Sequence, residues 1–391
     1  MKREKYRREV LFILSVLFLS LWSCGMPDKA SHNPMRVDID ARHEVSIFDI
    51  FERVELIPLE TTGESIFGRF GGIISRLHYH DGVLYIEESR KIFAFDATTG
   101  EFLFKIDDRG QGPNEYLHIA DFEIDRQRGK ILVLDPIGRS LLEYDLNGRF
   151  IRRTRLPEIV HAYWRLRYLG NDIIAFWTFD GNNRLKLYGR SQGSIFQEHF
   201  PEIAEFRELG FNYVASPFSF ANFFMCGGSV FTNNVYEVLL DGIYSIAYTW
   251  DFGRLNNCVT MARNLPEHTR GREESMALFE HMRAGGIVNY FFWRIGGNQT
   301  YRYAQIIRKN QHINLFHNIA KEYTYVFTEF SEGATFYPIF WSDEFVIGAG
   351  PFAGYREETI PDAILDERNL AIKRNICEFD NPVLIKYWFR R

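Results

Sequence analysis

Cysteine is scarce in this chain: four residues, at positions 24, 226, 258 and 377, with no C-x-x-C pair among them. That spacing gives no basis for a zinc knuckle or a thioredoxin-like dithiol. Cys226, Cys258 and Cys377 allow one disulfide with a spare thiol, or three free thiols, and their redox state stays open. No G-x-S-x-G elbow, Walker A loop, H-E-x-x-H pair or strand-to-helix G-x-G-x-x-G occurs, so no catalytic residue is assigned and neither cofactor nor metal is expected. Excess positive charge is missing too. The 46 Lys and Arg are outnumbered by 51 Asp and Glu, for a net −5, and the cations look scattered. Polyanion binders need clustered cations to release counterions, which argues against nucleic acid as a partner. Nor does any Pro-, Ser- or Gly-rich linker interrupt the chain after Asn33, which favours one body over two.

The N-terminus is the most specific stretch. Lys2, Arg3, Lys5, Arg7 and Arg8 precede an apolar run from Val10 to Trp22, and Ser23-Cys24-Gly25 follows at once. A charged head, a short apolar run and a small residue before the boundary make a signal peptide, and the run is short for a membrane span. Leu21-Trp22-Ser23-Cys24 resembles the lipobox of bacterial lipoproteins. That resemblance implies removal of residues 1–23, acylation of Cys24, and a polar tether over 24–36 ahead of a single domain at 37–391. Met26 in place of Asp at the second position after Cys24 points to the outer membrane of the cell envelope. Losing five cations and two glutamates with the signal takes the net charge from −5 to −8.

Aromatic residues make up 16% of the chain, with 36 Phe and 20 Tyr beside 30 Gly, which suits pleated, half-buried surfaces. A repeat runs through the strand-like segments. His80 to Ile86, Lys91 to Asp96 and Glu101 to Lys105 are echoed by Arg128 to Asp135, Leu141 to Asp145 and Arg149 to Arg152. The turn markers shift almost in step: Gly82 to Gly129 is 47 residues, Asp96 to Asp145 is 49, and Gly100 to Gly148 is 48. Weaker copies are Asn171 to Phe196 and Gly228-Ser229-Val230-Phe231-Thr232 through Tyr248, with two more inferred from Tyr301 to Phe330 and Phe336 to Gly348. Units of about 40–50 residues, each a small antiparallel sheet that cannot bury both faces alone, are the mark of a β-propeller. The count favours six blades, with seven possible. Ring closure is expected from Val37-Asp38-Ile39 or Val54-Glu55-Leu56-Ile57 pairing with Val383 to Tyr387, which removes an open edge. Glu273 to Met282 and Pro361 to Ile376 have helix-like spacing and read as short helical insertions between strands.

The segment Arg109-Gly110-Gln111-Gly112-Pro113-Asn114-Glu115-Tyr116 resembles the Gly-x-Gly-Pro-x-Glu-Tyr signature of six-bladed, NHL-like β-propeller lipoproteins of Gram-negative gut anaerobes. Leu56 to Thr62 is similar to that family's opening strand, and Asp380-Asn381-Pro382-Val383-Leu384-Ile385 to its closing strand. The resemblance implies fold and export, and brings no catalytic residue with it.

Three constellations remain as candidate sites. Gly110, Gly112, Pro113, Glu115 and Tyr116 form either a rigid connector, with Glu115 accepting backbone N–H bonds, or a ligand loop at the channel mouth with Glu115 as acceptor and Tyr116 as stacking platform. Asp121, Glu123 and Asp125 share one strand side, fixing neighbouring strands or opening a hard-cation site. His78 and His80 share a strand face, read as a solvent-facing pair in preference to metal ligands. The expectation is a monomeric, all-β, lipid-anchored propeller that binds or scaffolds a glycan, peptide or protein partner. The alternative is a metal-dependent hydrolase or lyase using Asp, Glu, His or Asn from several blades at the axis.

Overall fold

In the computed structural model the described residues are 34–67, 74, 76–157, 163–178, 183–201, 225–227, 233–238, 244–255, 294–309, 311–349, 360–377 and 379–390. Cys24, Cys258, the stretch 228–232 and the helix expected over 273–282 lie outside them.

The described residues start with two strands that belong to different blades, β1 (Pro34–Arg36) and β2 (Phe51–Pro58), with a single turn of helix, α1 (Ile47–Ile50), between them. Four strands then make blade 1: β3 (Arg76–His80), β4 (Val83–Glu88), β5 (Lys91–Asp96) and β6 (Phe102–Ile106). Blade 2 is β7 (Asp121–Asp125), β8 (Lys130–Asp135), β9 (Ser140–Asp145) and β10 (Phe150–Arg155). Blade 3 is β11 (Tyr163–Gly170), β12 (Ile173–Thr178), β13 (Asn183–Gly189) and β14 (Ser194–Pro201). Blade 4 takes β15 (Met225–Gly227), β16 (Asn234–Val238) and β17 (Tyr244–Asp251), and borrows β1 as its outer strand. Blade 5 is β18 (Arg294–Gly297), β19 (Tyr301–Arg308), β20 (Gln311–Asn318) and β21 (Tyr323–Phe327). Blade 6 takes β22 (Pro338–Trp341), β23 (Phe345–Ala349) and β24 (Val383–Phe389), and borrows β2. Between β23 and β24 lies the second helix, α2 (Glu367–Arg374), preceded by a 3₁₀ turn at Asp362–Ile364. The molecule is thus a six-bladed β-propeller.

The spacing that reveals the repeat is set by hairpins. Gly100 and Gly148 both sit at φ +78°, the left-handed region that Gly enters without strain. At Gly100 a side chain is also sterically barred, because a Cβ there would overlap the Pro58 carbonyl of the neighbouring blade. Blade faces then pack radially. Tyr85, Ile92, Tyr116, Phe122, Val133 and Tyr144 form the layer between blades 1 and 2, and Leu132, Leu141, Leu166, Phe176 and Tyr188 the layer between blades 2 and 3.

Closure uses the second of the two N-terminal segments expected for it. β2 runs antiparallel to β24, with Val54 opposite Tyr387 and Leu56 opposite Ile385. Phe51, where β2 begins, packs its ring against Phe316, Phe330, Phe336, Tyr387 and Phe389 at 5.2–6.4 Å between centroids. The structure also extends the domain upstream. Pro34–Arg36, assigned from the sequence to the tether, pairs in parallel with β17, because Met35 finds an apolar bed there with Trp250, Val235 and Ile306. Between β1 and β2 the chain crosses blade 5: His43 and Val326 exchange bonds, Ser331 donates to the Val45 carbonyl at 2.8 Å, and Ile47 donates to Glu332 at 3.1 Å. Residues 34–58 are therefore a strap over the rims of three consecutive blades.

Strand direction separates two faces. Connections from each outer strand to the next inner strand, and from the second to the third strand of a blade, emerge on one face; hairpins joining first to second and third to fourth strands emerge on the other. Among the described residues the first face receives the 107–120 connection, whereas the second carries turns as short as 81–82 and 171–172.

Candidate functional site

Inner strands of blades 1 to 3 bring the charged residues flagged in the sequence into one array. β7 alternates Asp121, Glu123 and Asp125 with Phe122 and Ile124, and the apolar pair goes into the layer between blades 1 and 2. This frees the carboxylates to meet partners from both neighbouring blades. Arg76 of β3 donates to Asp121 at 2.7 Å, and the Leu166 N–H of β11 donates to the other Asp121 oxygen at 3.0 Å. Glu123 accepts from Arg167 at 2.8 Å and lies 3.3 Å from Nδ1 of His78. Asp125, wholly buried, is approached at 3.5 Å by both Arg128 and Arg190.

Burial dominates the electrostatics. It raises the Asp121 carboxyl to about 6, against the opposing pull of Arg76 and the Leu166 N–H. It lowers the His78 imidazole to about 4, although Glu123 pulls the other way. His78 is therefore neutral at pH 7, and its contact with Glu123 is not an ion pair. The solvent-facing histidine pair expected from the sequence is corrected here: His78 is 5% exposed, with its ring 4.7 Å from that of Phe122 in an edge-on contact. Further out between blades 2 and 3, buried Glu143 gathers Lys130 at 3.0 Å, Arg152 at 2.6 Å and Arg190 at 2.5 Å. The carboxylates thus cross-link strands. Among the described residues, no three His, Cys, Asp or Glu side chains converge as a metal site.

The Gly110 to Tyr116 segment joins β6 to β7. Glu115 turns back to accept the Gly112 N–H at 2.7 Å, and a Cβ on Gly110 would collide with that carboxylate, which explains the glycine. Gly110 N–H donates to the Tyr116 carbonyl, and Tyr116 N–H to the Asp108 carbonyl. Tyr116 is 0% exposed, and its hydroxyl donates to the Arg90 carbonyl at 2.8 Å. A stacking platform needs an open ring face, so Tyr116 does not serve as one; it is a peg between blades 1 and 2. Asp135 fixes the end of the segment by accepting the Leu117 N–H at 2.8 Å.

The other family-like motifs have equally local explanations. Asn381 accepts the Phe67 N–H at 2.8 Å and donates to the Glu60 and Ser65 carbonyls, pinning the chain that leaves β2. Sequence reasoning missed the arginines that complete the array, Arg76, Arg167 and Arg190; for Arg76 and Arg167, which lie on inner strands, alternation with apolar residues was the available signal. It also missed Lys386, whose ammonium lies 4.1 Å from the Phe345 ring centre and 4.2 Å from that of Trp388, with burial holding its pKa below the usual lysine value. On the hairpin face a cleft of about 440 Å³ is lined by Glu52, Arg53, Asp343, Glu344, Trp388 and Arg390. The Trp388 ring there is already engaged by Arg53 at 4.4 Å and by Lys386. Cys377 is a free, exposed thiol.

Six radially packed four-stranded sheets with charged inner strands define a six-bladed β-propeller. Residues 33–387 match the domain of unknown function DUF4934, and the chain belongs to that family. No curated protein sequence matches it. The fold is similar to that of a Bacteroides fragilis protein named as an exported protein, with a TM-score of 0.66 at 14% identity over 91% of this chain and 99% of that one. It is also similar to a Bacteroides vulgatus member of the DUF4221 family, with a TM-score of 0.50 at 12% identity over 87% and 97% of the two chains.

Proposed function

We propose that the protein is an exported, envelope-anchored binding or scaffolding propeller that presents one face or its axial channel to a glycan, peptide or protein partner. The observation that carries this reading is the array of charged and polar side chains that the inner strands of blades 1 to 3 bring together. The charges on the inner strands of blades 1 to 3 are matched by countercharges and hydrogen bonds, which suits recognition of a polar, weakly charged ligand by hydrogen bonding more than capture of a free ion. Export is supported by the N-terminal signal and by the name of the Bacteroides fragilis neighbour. Anchoring is supported by the lipobox-like Leu21 to Cys24 and by the strap, which brings the chain from the tether onto the outer rim of blade 4.

Glycan and peptide arrays probed with the chain from residue 34 onward test the binding reading. A specific ligand class whose signal falls when Arg76→Ala or Arg167→Ala is introduced is expected; arrays without specific signal for the folded protein contradict it. Fatty-acid labelling in a Gram-negative host tests the anchor. Label should enter the wild type and disappear in Cys24→Ser, and a labelled Cys24→Ser protein rules out the lipobox reading.

A further inference from the structure

The rim of the propeller is treated unevenly. An outer strand exposes a row of backbone N–H and C=O groups, and most blades here cover that row. Blade 1 uses the segment after β2: Glu60 accepts the Phe102 N–H at 2.8 Å, and Glu64 pairs with Lys105. Blade 4 is covered by β1, and blade 5 is bonded by His43. Blade 6 is covered by β2, whose own free edge meets Asn369 of α2: the side-chain amide accepts the Leu56 N–H at 2.7 Å and donates to the Val54 carbonyl at 3.4 Å. Blades 2 and 3 end in β10 and β14, for which no described segment supplies a neighbouring strand.

β10 differs from β14 in charge. Its sequence is Phe-Ile-Arg-Arg-Thr-Arg, and the flanking turns add Arg149 and Arg139. Arg139, Arg149 and Arg155 are exposed, and none of them has a carboxylate partner among the described residues. Arg152 is tied to Glu143, yet its side chain is 55% exposed. Ile151 on β10 and Ile137, in the turn that carries Arg139, are exposed at 44% and 62%. Arg149 and Arg155 stand about 20 Å apart along the strand at ~3.3 Å per residue, the length of a short extended peptide. On β14, by contrast, Glu198 pairs with Lys186 and no arginine is present. A local surplus of cations on a chain of net −5 is a departure that strand propensity does not require.

We propose that the outer edge of blade 2 is a docking edge for an extended acidic peptide segment of a partner protein, added alongside β10 as a fifth strand. Main-chain bonds to the open edge hold the peptide, its carboxylates pair with Arg139, Arg149, Arg152 and Arg155, and apolar residues between them rest on Ile151 and Ile137. The Ile151 bulge confines regular pairing to Arg152–Arg155. A peptide is favoured over an anionic polysaccharide because only a peptide uses the backbone row as well as the guanidinium groups. This site lies on the rim and is independent of the ligand proposed for the axial face.

The test is fluorescence anisotropy of a labelled ten-residue Asp-Val repeat with the chain from residue 34 onward. Saturable binding is expected, weakened roughly tenfold or more by Arg149→Glu with Arg155→Glu, and lost when alternate backbone nitrogens of the probe are methylated. Arg149→Gln with Arg155→Gln, whose side chains have no internal partner to lose, should give an intermediate loss with an unchanged melting curve. Absence of saturable binding overturns the proposal. So does binding that survives backbone methylation and is competed equally by dextran sulfate or phosphatidylglycerol vesicles, which would make the rim a general polyanion surface. Self-association of the charge-reversed variant, with no probe bound by the wild type, also overturns it, because the arginines would then only guard the edge from pairing.

Discussion

His78 and Asp121 are buried side chains on adjacent inner strands with opposite responses to acid. Folding lowers the His78 pKa to about 4 from an ordinary value near 6.5, so between those values the unfolded chain carries a proton that the folded chain lacks, and stability falls as pH drops. Folding raises Asp121 to about 6, so between roughly pH 4 and 6 the folded chain holds the extra proton, and stability rises as pH drops. The two slopes nearly cancel. Asp121→Asn should therefore make the protein lose about 2–3 kcal/mol more than wild type between pH 6 and 4, and His78→Gln should make it lose correspondingly less. Urea melts at the two pH values measure both differences, and equal slopes for the three proteins would show that these groups do not titrate as described. At Tyr116, removing the hydroxyl with Tyr116→Phe takes the donor from the Arg90 carbonyl in a part-buried bond and should cost about 1 kcal/mol in the same melts.

Among elements, the strap and the closing strand bear most of the ring's integrity. Phe51 is fully buried amid five aromatic rings from blades 5 and 6, so Phe51→Ala should cost about 3–5 kcal/mol by denaturant titration, the usual loss for a large core side chain. Asn381→Ala removes the acceptor for the Phe67 N–H and two donors from a buried site, for about 1–3 kcal/mol. These elements also show what a sequence makes legible. Period-two alternation and Gly turns expose β4–β6 and β8–β10, because hairpins are local and every residue of the pattern lies within a few positions of its partner. The pairing of β2 with β24 was readable only as two apolar runs of the right length. β1 was not readable: three residues, Pro-Met-Arg, become a strand because a blade edge over 200 residues away accepts them, and nothing local marks that edge.

For the whole molecule, a single repeated unit explains composition and fold together. Aromatic residues fill the layers between blades, glycines permit the hairpins, and the acidic surface keeps the body soluble beneath its proposed anchor. The candidate site was legible in part. Asp121, Glu123, Asp125 and His78 stand out as residue types, but their partners Arg76, Arg167 and Arg190 come from other blades, so only the ring shows that the carboxylates are engaged. Likewise, arginines that look scattered along the chain become one cationic rim once β10 is placed at an edge. The N-terminal strap and the C-terminal strand close that ring as one cooperative unit. Hydrogen–deuterium exchange of the chain from residue 34 onward reads this through peptides covering 51–58 and 383–389. Both should exchange together and as slowly as the central strands of blades 1 and 2, and fast exchange in 51–58 while 383–389 stays protected would contradict it.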